Sequence, residues 1–292
     1  MLNSVFPRNK PSPIPKIITT PEYIAKGRLK STYEKTKLAF KVPWMGVIAM
    51  AFSNYPNFYN ALWKYMHPLS NSIEFELLCK RLVLFSGKKI REFKIKSIIK
   101  NLENIGYSNY EIKQISEMNK VFTYGNMPYL IMATVARIFL EKGELINVNN
   151  FTKKKNFSSS PKITKLLLIE EHHADTRLKE IYKSIKKNVG LPFINTDYRA
   201  FARWPSYFSL AWENLQPTLN SNQYERKVSE IHNYVIRKVL ELPNPNQITS
   251  KSILLAAKKD KKINEIKKVV NLFQWLLPGL IANVAFMKEQ LN

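Results

Sequence analysis

Apolar residues recur along most of this chain at intervals of three and four positions. One such series closes the first half of the sequence, at Leu130, Ala133, Thr134, Val135 and Ile138. Another opens the second half, at Leu166, Ile169, His173, Leu178, Ile181 and Ile185. This spacing places apolar side chains on one face of a helix. The long alternating patterns and Asn-Gly turns that indicate strands and hairpins are missing, so the pattern predicts an all-α protein.

The chain contains an internal repeat. When the sequence is shifted by 149 residues, positions 25–68 align with positions 174–217 without a gap, and twelve of these 44 positions are identical. The shared residues include a tryptophan and three prolines, in the pairs Trp63 and Trp212, Pro43 and Pro192, Pro56 and Pro205, and Pro68 and Pro217. Prolines interrupt helices, so both copies are expected to begin and end their helices at corresponding places.

The later parts of the two copies match more loosely. Residues 111–113 resemble residues 265–267, and residues 128–131 resemble residues 278–281. We therefore predict two helical pseudo-repeats of about 120–130 residues. The predicted boundaries are an N-terminal arm at residues 1–24, repeat 1 at 25–147, a polar linker at 148–162 and repeat 2 at 163–292.

The cysteine content and the apolar runs bear on the cellular compartment. A single cysteine, Cys79, permits no disulfide within the chain and suits a reducing cytosol. The first sixteen residues carry prolines and charges instead of a continuous apolar segment, so no signal peptide is expected. The longest apolar runs, residues 127–140 and 272–287, are shorter than the ~20 residues that a membrane span needs. We expect a cytoplasmic protein without a membrane partner.

The formal net charge of +24 raises the question of nucleic-acid binding. The lysines are spread along the whole chain, however, and the one dense run, Lys153–Lys155, falls in the predicted linker. A dispersed positive field attracts small anions better than it fixes the register of a nucleic acid. We therefore predict no nucleic-acid partner, with a general lysine bias as the simplest origin of the charge.

The two copies differ at two positions where one carries a polar residue and the other an apolar residue. Asp197 in the second copy aligns with Ile48 in the first, and Asn126 in the first copy aligns with Leu276 in the second. Packing alone does not require a carboxylate where an isoleucine suffices. Both polar residues are also predicted to lie where a helix begins, so an ordinary capping role stays open for each. A helix N-terminus can itself favour an anion.

Three features together resemble the group I 2-haloacid dehalogenases. They are the stretch LPFINTDYRAFARWPSYFSLAW at residues 191–212, the segment TYGNMPYL at residues 123–130, and the internal duplication. The resemblance covers essentially the whole chain after residue 25. It implies an all-helical enzyme whose active site lies between two pseudo-repeats, and it suggests a homodimer.

The resemblance also implies a mechanism and its residues. A water held by Asp197 and Asn126 would displace halide from the carbon next to a carboxylate, with Asp197 as the base. The configuration would invert, with no covalent intermediate, cofactor or metal. The substrate would be a small 2-haloalkanoic acid anion. Its pocket would be lined by Trp44, Val47, Tyr129, Asn195 and Thr196. The position two residues before the base is associated with stereochemical preference in the family, and the asparagine at this position, Asn195, resembles the D-selective members.

Two other interpretations remain open at this point. The sequence EEHHAD at residues 170–175 has the composition of a metal site. Adjacent helical histidines point about 100° apart, though, and the HExxH order is absent, so a solvated helix start is the better prediction. The second alternative keeps the fold and is a family member that binds or hydrolyses another small organic anion.

Overall fold

The computed structural model describes residues 6–145, 147, 151–153 and 166–292. Within these ranges the chain forms twelve α-helices and no β-strand beyond two isolated bridges. The helices of the first half are α1 (Gly27–Phe40), α2 (Val47–Phe52), α3 (Pro56–Ser70), α4 (Ile73–Arg91), α5 (Ile99–Asn104) and α6 (Asn109–Leu140). Those of the second half are α7 (Thr176–Ile185), α8 (Thr196–Phe201), α9 (Pro205–Leu219), α10 (Asn222–Leu240), α11 (Ser250–Lys259) and α12 (Ile263–Glu289).

The two halves contain the same six helices in the same order. Helices α8, α9 and α10 begin 149 residues after α2, α3 and α4, the shift found in the sequence alignment. The all-α class and the duplicated architecture are therefore confirmed. The four segment boundaries stay a prediction, and the predicted linker lies outside the described residues except for residues 151–153.

The paired prolines and polar residues account for the helix ends. Pro56 and Pro205 each occupy the first turn of a helix, where a missing N–H costs nothing. Ser72 and Ser221 cap the next helices by accepting a backbone N–H. Ser108 forms a full capping box with Glu111 at the start of α6. The starts at Pro56 and Pro205 agree with the prediction from the sequence, and the serine caps were not predicted. Pro68 and Pro217, which were expected to bound helices, lie inside the last turns of α3 and α9.

The helical pattern predicted across Leu166–His173 is wrong. Residues 166–170 are not helical, residues 171–173 form a turn, and α7 begins only at Thr176. The side chain of Asp175 accepts the Leu178 N–H at 2.8 Å and fixes that start. The backbone N–H of Ile169 instead donates to the carbonyl of Arg199 at 3.0 Å, so this segment is held against α8 by tertiary contacts.

The long helices α6 and α12 form the centre of the fold and make the most extensive helix–helix contact in the structure. Almost every residue after Phe122 in α6 and after Val269 in α12 is buried. Helix α12 is also long and apolar enough to cross a membrane, by length and composition alone, with a mean hydropathy of 1.6. Since 83% of that segment is buried inside the protein, its apolar character is explained by core packing.

The N-terminal residues Phe6–Arg8 are bound to the core by a buried polar network. His232 is fully buried, and its Nε2 donates to the carbonyl of Phe6 at 2.8 Å. Its Nδ1 accepts from the side-chain amide of Gln274 at 2.9 Å. Arg137 donates to the Gln274 amide oxygen and, at 3.0 Å, to the carbonyl of Pro7. This arrangement requires a neutral imidazole at His232.

Burial lowers the pKa of His232 to about 4, and the neighbouring arginines Arg137 and Arg8 act in the same direction. An unfolded histidine titrates near 6.5. Between these two values the unfolded chain therefore binds more protons than the folded one, and stability falls as the pH falls.

We predict that the free energy of unfolding falls by about 2 kcal/mol when the pH is lowered from 7.5 to 5, because His232 takes up a proton on unfolding. His232→Gln should remove this contribution, so that its stability changes less over the interval than that of the wild type. Urea denaturation at both pH values measures the difference. His172→Gln, at an exposed histidine, is the matched control and should behave as the wild type. Identical pH dependence in wild type and His232→Gln would contradict the assignment.

Candidate active site

Asn126 and Asp197 come from different repeats and meet in the interior of the protein. The amide nitrogen of Asn126 donates to Oδ1 of Asp197 at 2.9 Å. Asn126 is 4% exposed and Asp197 is 2% exposed. A buried carboxylate requires hydrogen bonds to offset the loss of water, and this amide supplies one from the opposite repeat.

The structure corrects the predicted helix positions of this pair. Asp197 is the second residue of α8, whose N-cap is Asn195, and Asn195 makes no capping hydrogen bond with its side chain. Asn126 lies in the middle of α6, which begins at Asn109 and continues through Pro128. The prediction that Asn126 begins a helix is therefore wrong. A helix can continue through Pro128 because the surrounding core holds the backbone in place.

Burial decides the ionisation of Asp197. Loss of hydration raises the pKa of its carboxyl group to about 7, although the hydrogen bonds from Asn126 and the backbone and the charge of Arg199 lower it. Burial and the nearby helix N-terminus act on this pKa in opposite directions. The apolar surroundings prevail because the carboxylate lies in a closed interior. At neutral pH the group is then divided between its acid and its base form.

A cavity of about 30 Å³ adjoins the Asn126–Asp197 pair. We call it the catalytic cavity. All seven residues predicted from the sequence line it: Trp44, Val47, Asn126, Tyr129, Asn195, Thr196 and Asp197. The structure thus brings the predicted set together from three separate stretches of chain. Their individual roles stay predictions.

Sequence reasoning missed six further lining residues, namely Gly46, Ile48, Phe273, Leu276, Leu277 and Leu280. Ile48 and Leu276 had been noted only as apolar counterparts of Asp197 and Asn126. Their presence in the same wall means that equivalent positions of both repeats face one cavity. The signal was available in the alignment, because a repeat that packs against its own copy brings equivalent positions together.

Two glycines allow aromatic rings to approach the backbone beside the cavity. A Cβ atom on Gly46 would lie 2.6 Å from the Tyr129 ring, and one on Gly125 would lie 2.3 Å from the Trp44 ring. Both distances are too short for any other residue. The Tyr129 hydroxyl also donates to the carbonyl of Trp44 at 2.8 Å, which fixes both aromatic walls relative to each other.

The two adjacent histidines form no metal site. His172 and His173 are exposed in the turn before α7, and the neighbouring Glu170 and Glu171 pair with Arg199 and Lys186. Within the described ranges, no group of three or more His, Cys, Asp and Glu side chains is arranged to hold a metal ion. The prediction of a solvated helix start is right about the exposure, although the histidines precede the helix.

The chain resembles proteins of known activity over most of its length. It is 38% identical over 248 residues to an (R)-2-haloacid dehalogenase of Rhizobium sp. (strain NHG3), covering 83% of this chain and 95% of that protein. It is 34% identical over 274 residues to an (R)-2-haloacid dehalogenase of Pseudomonas putida, covering 92% and 91%. A configuration-inverting 2-haloacid dehalogenase of Alcaligenes xylosoxydans xylosoxydans is 21% identical over 277 residues, covering 91% and 90%.

Solved structures match the fold closely. A D-2-haloacid dehalogenase in complex with L-LA superposes with a TM-score of 0.88 at 32% identity, over 97% of this chain and 99% of that one. A mutant in complex with D-2-CPA superposes with a TM-score of 0.87 at 31% identity and the same coverage.

The family model described as halocarboxylic acid dehydrogenase DehI matches residues 43–198 and, a second time, residues 192–291. Two matches to one model suggest a repeat, although the first runs past residue 147 into the second repeat. With the relatives named above, they establish the predicted family: this chain belongs to the DehI family of 2-haloacid dehalogenases.

Proposed function

We propose that this protein is a 2-haloacid dehalogenase that hydrolyses the carbon–halogen bond of short 2-haloalkanoic acids to give 2-hydroxy acids. The observation that carries the proposal is the buried hydrogen bond between Asn126 and Asp197 beside a cavity between the repeats. The named activities of the relatives, which this chain matches over most of its length, support the same substrate class.

Asp197 acts as the general base. A base removes a proton most effectively when its pKa lies close to the working pH, and burial raises the pKa of Asp197 to about 7. The Asn126 amide and a backbone N–H donate to the Asp197 carboxylate, and no other described side chain does. These two donors orient the carboxylate, and it accepts the proton of the attacking water.

The water displaces the halide in a single step. Its oxygen forms a bond to the carbon beside the carboxylate, the carbon–halogen bond breaks, and the halide departs with the bonding electrons. The water's proton passes to Asp197. Direct attack inverts the configuration, which agrees with the name of the inverting relative. Holding water and substrate in line can lower such a barrier by roughly 7–11 kcal/mol.

Trp44, Val47 and Tyr129 form the apolar wall for the substrate, and Asn195 and Thr196 provide its polar wall. The catalytic cavity of about 30 Å³ suits water-sized groups, because one water needs about 10–15 Å³. Side chains must therefore move to admit a haloacid. We assign a preference for D-2-haloacids, supported by the relatives named for the (R) form and by Asn195 beside the base.

We also propose that the enzyme is a cytoplasmic homodimer. The single cysteine supports a reducing compartment, and the likeness to group I dehalogenases supports the dimer. The net charge of +24 suits a small anionic substrate, which a dispersed positive field attracts.

We predict halide release from D-2-chloropropionate by the wild type and little from the L form. Asp197→Asn and Asn126→Ala should each lower kcat by at least about 10²-fold, the lower end for a positioned base. Chloride release measured with an ion-selective electrode gives the rates. Asn119→Ala removes a buried amide from the same helix outside the catalytic cavity and should retain activity. Release that survives Asp197→Asn would exclude the mechanism. No release from any short haloacid would favour a member that binds or hydrolyses another organic anion.

Activity should follow the ionisation of Asp197. Since the base must be deprotonated and its pKa is about 7, kcat/KM should fall tenfold per pH unit below that value and level off above it. The raised pKa also means that the folded state binds the proton more tightly, so stability falls as the pH rises from about 4 to 7. Asp197→Asn should therefore unfold at a higher temperature than the wild type at pH 8. A profile with its midpoint near pH 4 would contradict the burial argument.

Light scattering coupled to size-exclusion chromatography tests the dimer. We expect twice the 34.1 kDa of the chain at micromolar concentration. A mass of one chain under these conditions would exclude a stable homodimer and leave the chemistry unaffected.

A further inference from the structure

A second cavity, of about 70 Å³, adjoins the catalytic cavity. Asn195, Leu276 and Leu280 line both spaces and form the wall between them. We call the second space the side cavity. Its polar lining comes from Arg8, Asn188, Asn195, Tyr198, Tyr224 and Asn283. Arg8 gives this lining a positive charge.

Tyr198 has a hydrogen-bond donor to spare in this cavity. Its hydroxyl oxygen accepts from the amide nitrogen of Asn283 at 2.7 Å, and the amide oxygen of Asn283 accepts from the Tyr224 hydroxyl. The hydroxyl proton of Tyr198 has no acceptor among the residues that the structure describes. Burial raises the pKa of Tyr198, so the hydroxyl keeps this proton.

Arg8 presents a second donor together with its charge. Its side chain is only 7% exposed, its Nε donates to the carbonyl of Trp275 at 3.2 Å, and its Nη1 pairs with Glu225. Its Nη2 makes no hydrogen bond to a described residue. A Cβ atom on Gly279, which lines the side cavity, would lie 3.6 Å from this nitrogen. Glu225 is 58% exposed, so water screens its opposing charge.

Asn195 is the polar member of the shared wall. Its amide oxygen is buried without a hydrogen-bond partner, and its amide nitrogen has none among the described side chains and backbone. Buried polar groups left unpaired are costly and uncommon in native proteins. An uncommitted amide 94% removed from solvent, facing two adjoining cavities, indicates a ligand that the protein binds there.

A small anion fits the donors of this cavity. The Arg8 guanidinium, the Tyr198 hydroxyl and the Asn195 amide nitrogen line a space that can hold an ion and one or more waters, at about 10–15 Å³ per water. A water beside the ion would supply the donor that the unpaired Asn195 oxygen lacks. Once the hydroxy acid has formed, its carboxylate still occupies the catalytic cavity. A halide left beside it would face a like charge in largely apolar surroundings.

We propose that the side cavity is a halide-binding site that receives the leaving halide past Asn195 and Leu280. The inference rests on the proposed function, which generates the halide. The ion leaves the carbon already carrying its electron pair, so its transfer requires no proton or co-reactant. Arg8, Tyr198 and Asn195 hold it until it reaches solvent.

Bromide located by anomalous diffraction tests the site without any turnover. Crystals of the wild type soaked in sodium bromide should show an anomalous peak in contact with the Arg8 guanidinium and the Tyr198 hydroxyl. Peaks confined to surface lysines, which mark an adventitious ion only, would overturn the proposal, as would a peak in the catalytic cavity alone. Crystals soaked in lactate should place its carboxylate in the catalytic cavity. A carboxylate in the side cavity would overturn the assignment to halide.

Matched variants separate the site from the general charge of the protein. Arg8→Met should weaken bromide binding about tenfold or more, the effect of a charged hydrogen bond, while Arg8→Lys should recover part of it. Arg237→Met removes the same charge from an exposed position on α10 and should change nothing. Equal effects of the two methionine variants on bromide occupancy would overturn the proposal. If Arg8→Met fails to fold, Tyr198→Phe, which removes only the hydroxyl, must show the loss.

These outcomes distinguish the two proposals. If no bromide binds in the side cavity, the halide site is contradicted, whether or not the enzyme turns over. If no short haloacid releases halide, the proposed function is contradicted, whether or not bromide binds.

Discussion

The packing of α6 against α12 is the contact on which the rest of the structure depends. Each helix is the last and longest of its repeat. Helix α6 is almost entirely buried after Phe122, and α12 is almost entirely buried after Val269. Together they provide Asn126 and Tyr129 on one side of the catalytic cavity and Phe273, Leu276, Leu277 and Leu280 on the other. Their apolar side chains exclude water from Asp197, and this exclusion raises its pKa into the neutral range. The same contact that stabilises the fold thus sets the chemistry of the base.

Duplication explains where the cavity lies, and divergence explains what it contains. Equivalent positions of the two repeats face each other across it, as Ile48 does with Asp197 and Asn126 with Leu276. A carboxylate at both of the first two positions would place two like charges in a small apolar space, where they could not both ionise. One acid opposite one isoleucine, with one amide from the other repeat, gives a single base with a defined hydrogen bond. The asymmetry between the copies is therefore a physical requirement of the proposed mechanism.

The N-terminal segment links the surface of the second repeat to the active-site region. Phe6 and Pro7 are held by His232 and Arg137 inside the core, and the next residue, Arg8, extends its guanidinium to the side cavity. The neutral state of His232 and the position of Arg8 therefore both depend on how Phe6 and Pro7 are held. In this protein a segment outside both repeats supplies a charge that neither repeat provides.

The sequence by itself determined the helical class, the duplication, the helix starts at Pro56 and Pro205, and the positions Asn126 and Asp197 where the copies differ. These features depend on local spacing, or on a comparison of two copies in one chain, and a single sequence contains both. The resemblance to the family added five further residues that line the catalytic cavity. The family was also predicted correctly from two short stretches and the repeat. The sequence misplaced Asn126 at a helix start and extended a helix across Leu166–His173, because buried packing can carry a helix through Pro128 and tertiary pairing can replace a helix at Ile169. Only the tertiary structure decided the direction of the Asp197 pKa, the neutral state of His232 and the approach of Arg8 to the side cavity. Each of these depends on which distant groups surround a side chain and how much water they exclude, and no local pattern of residues records that.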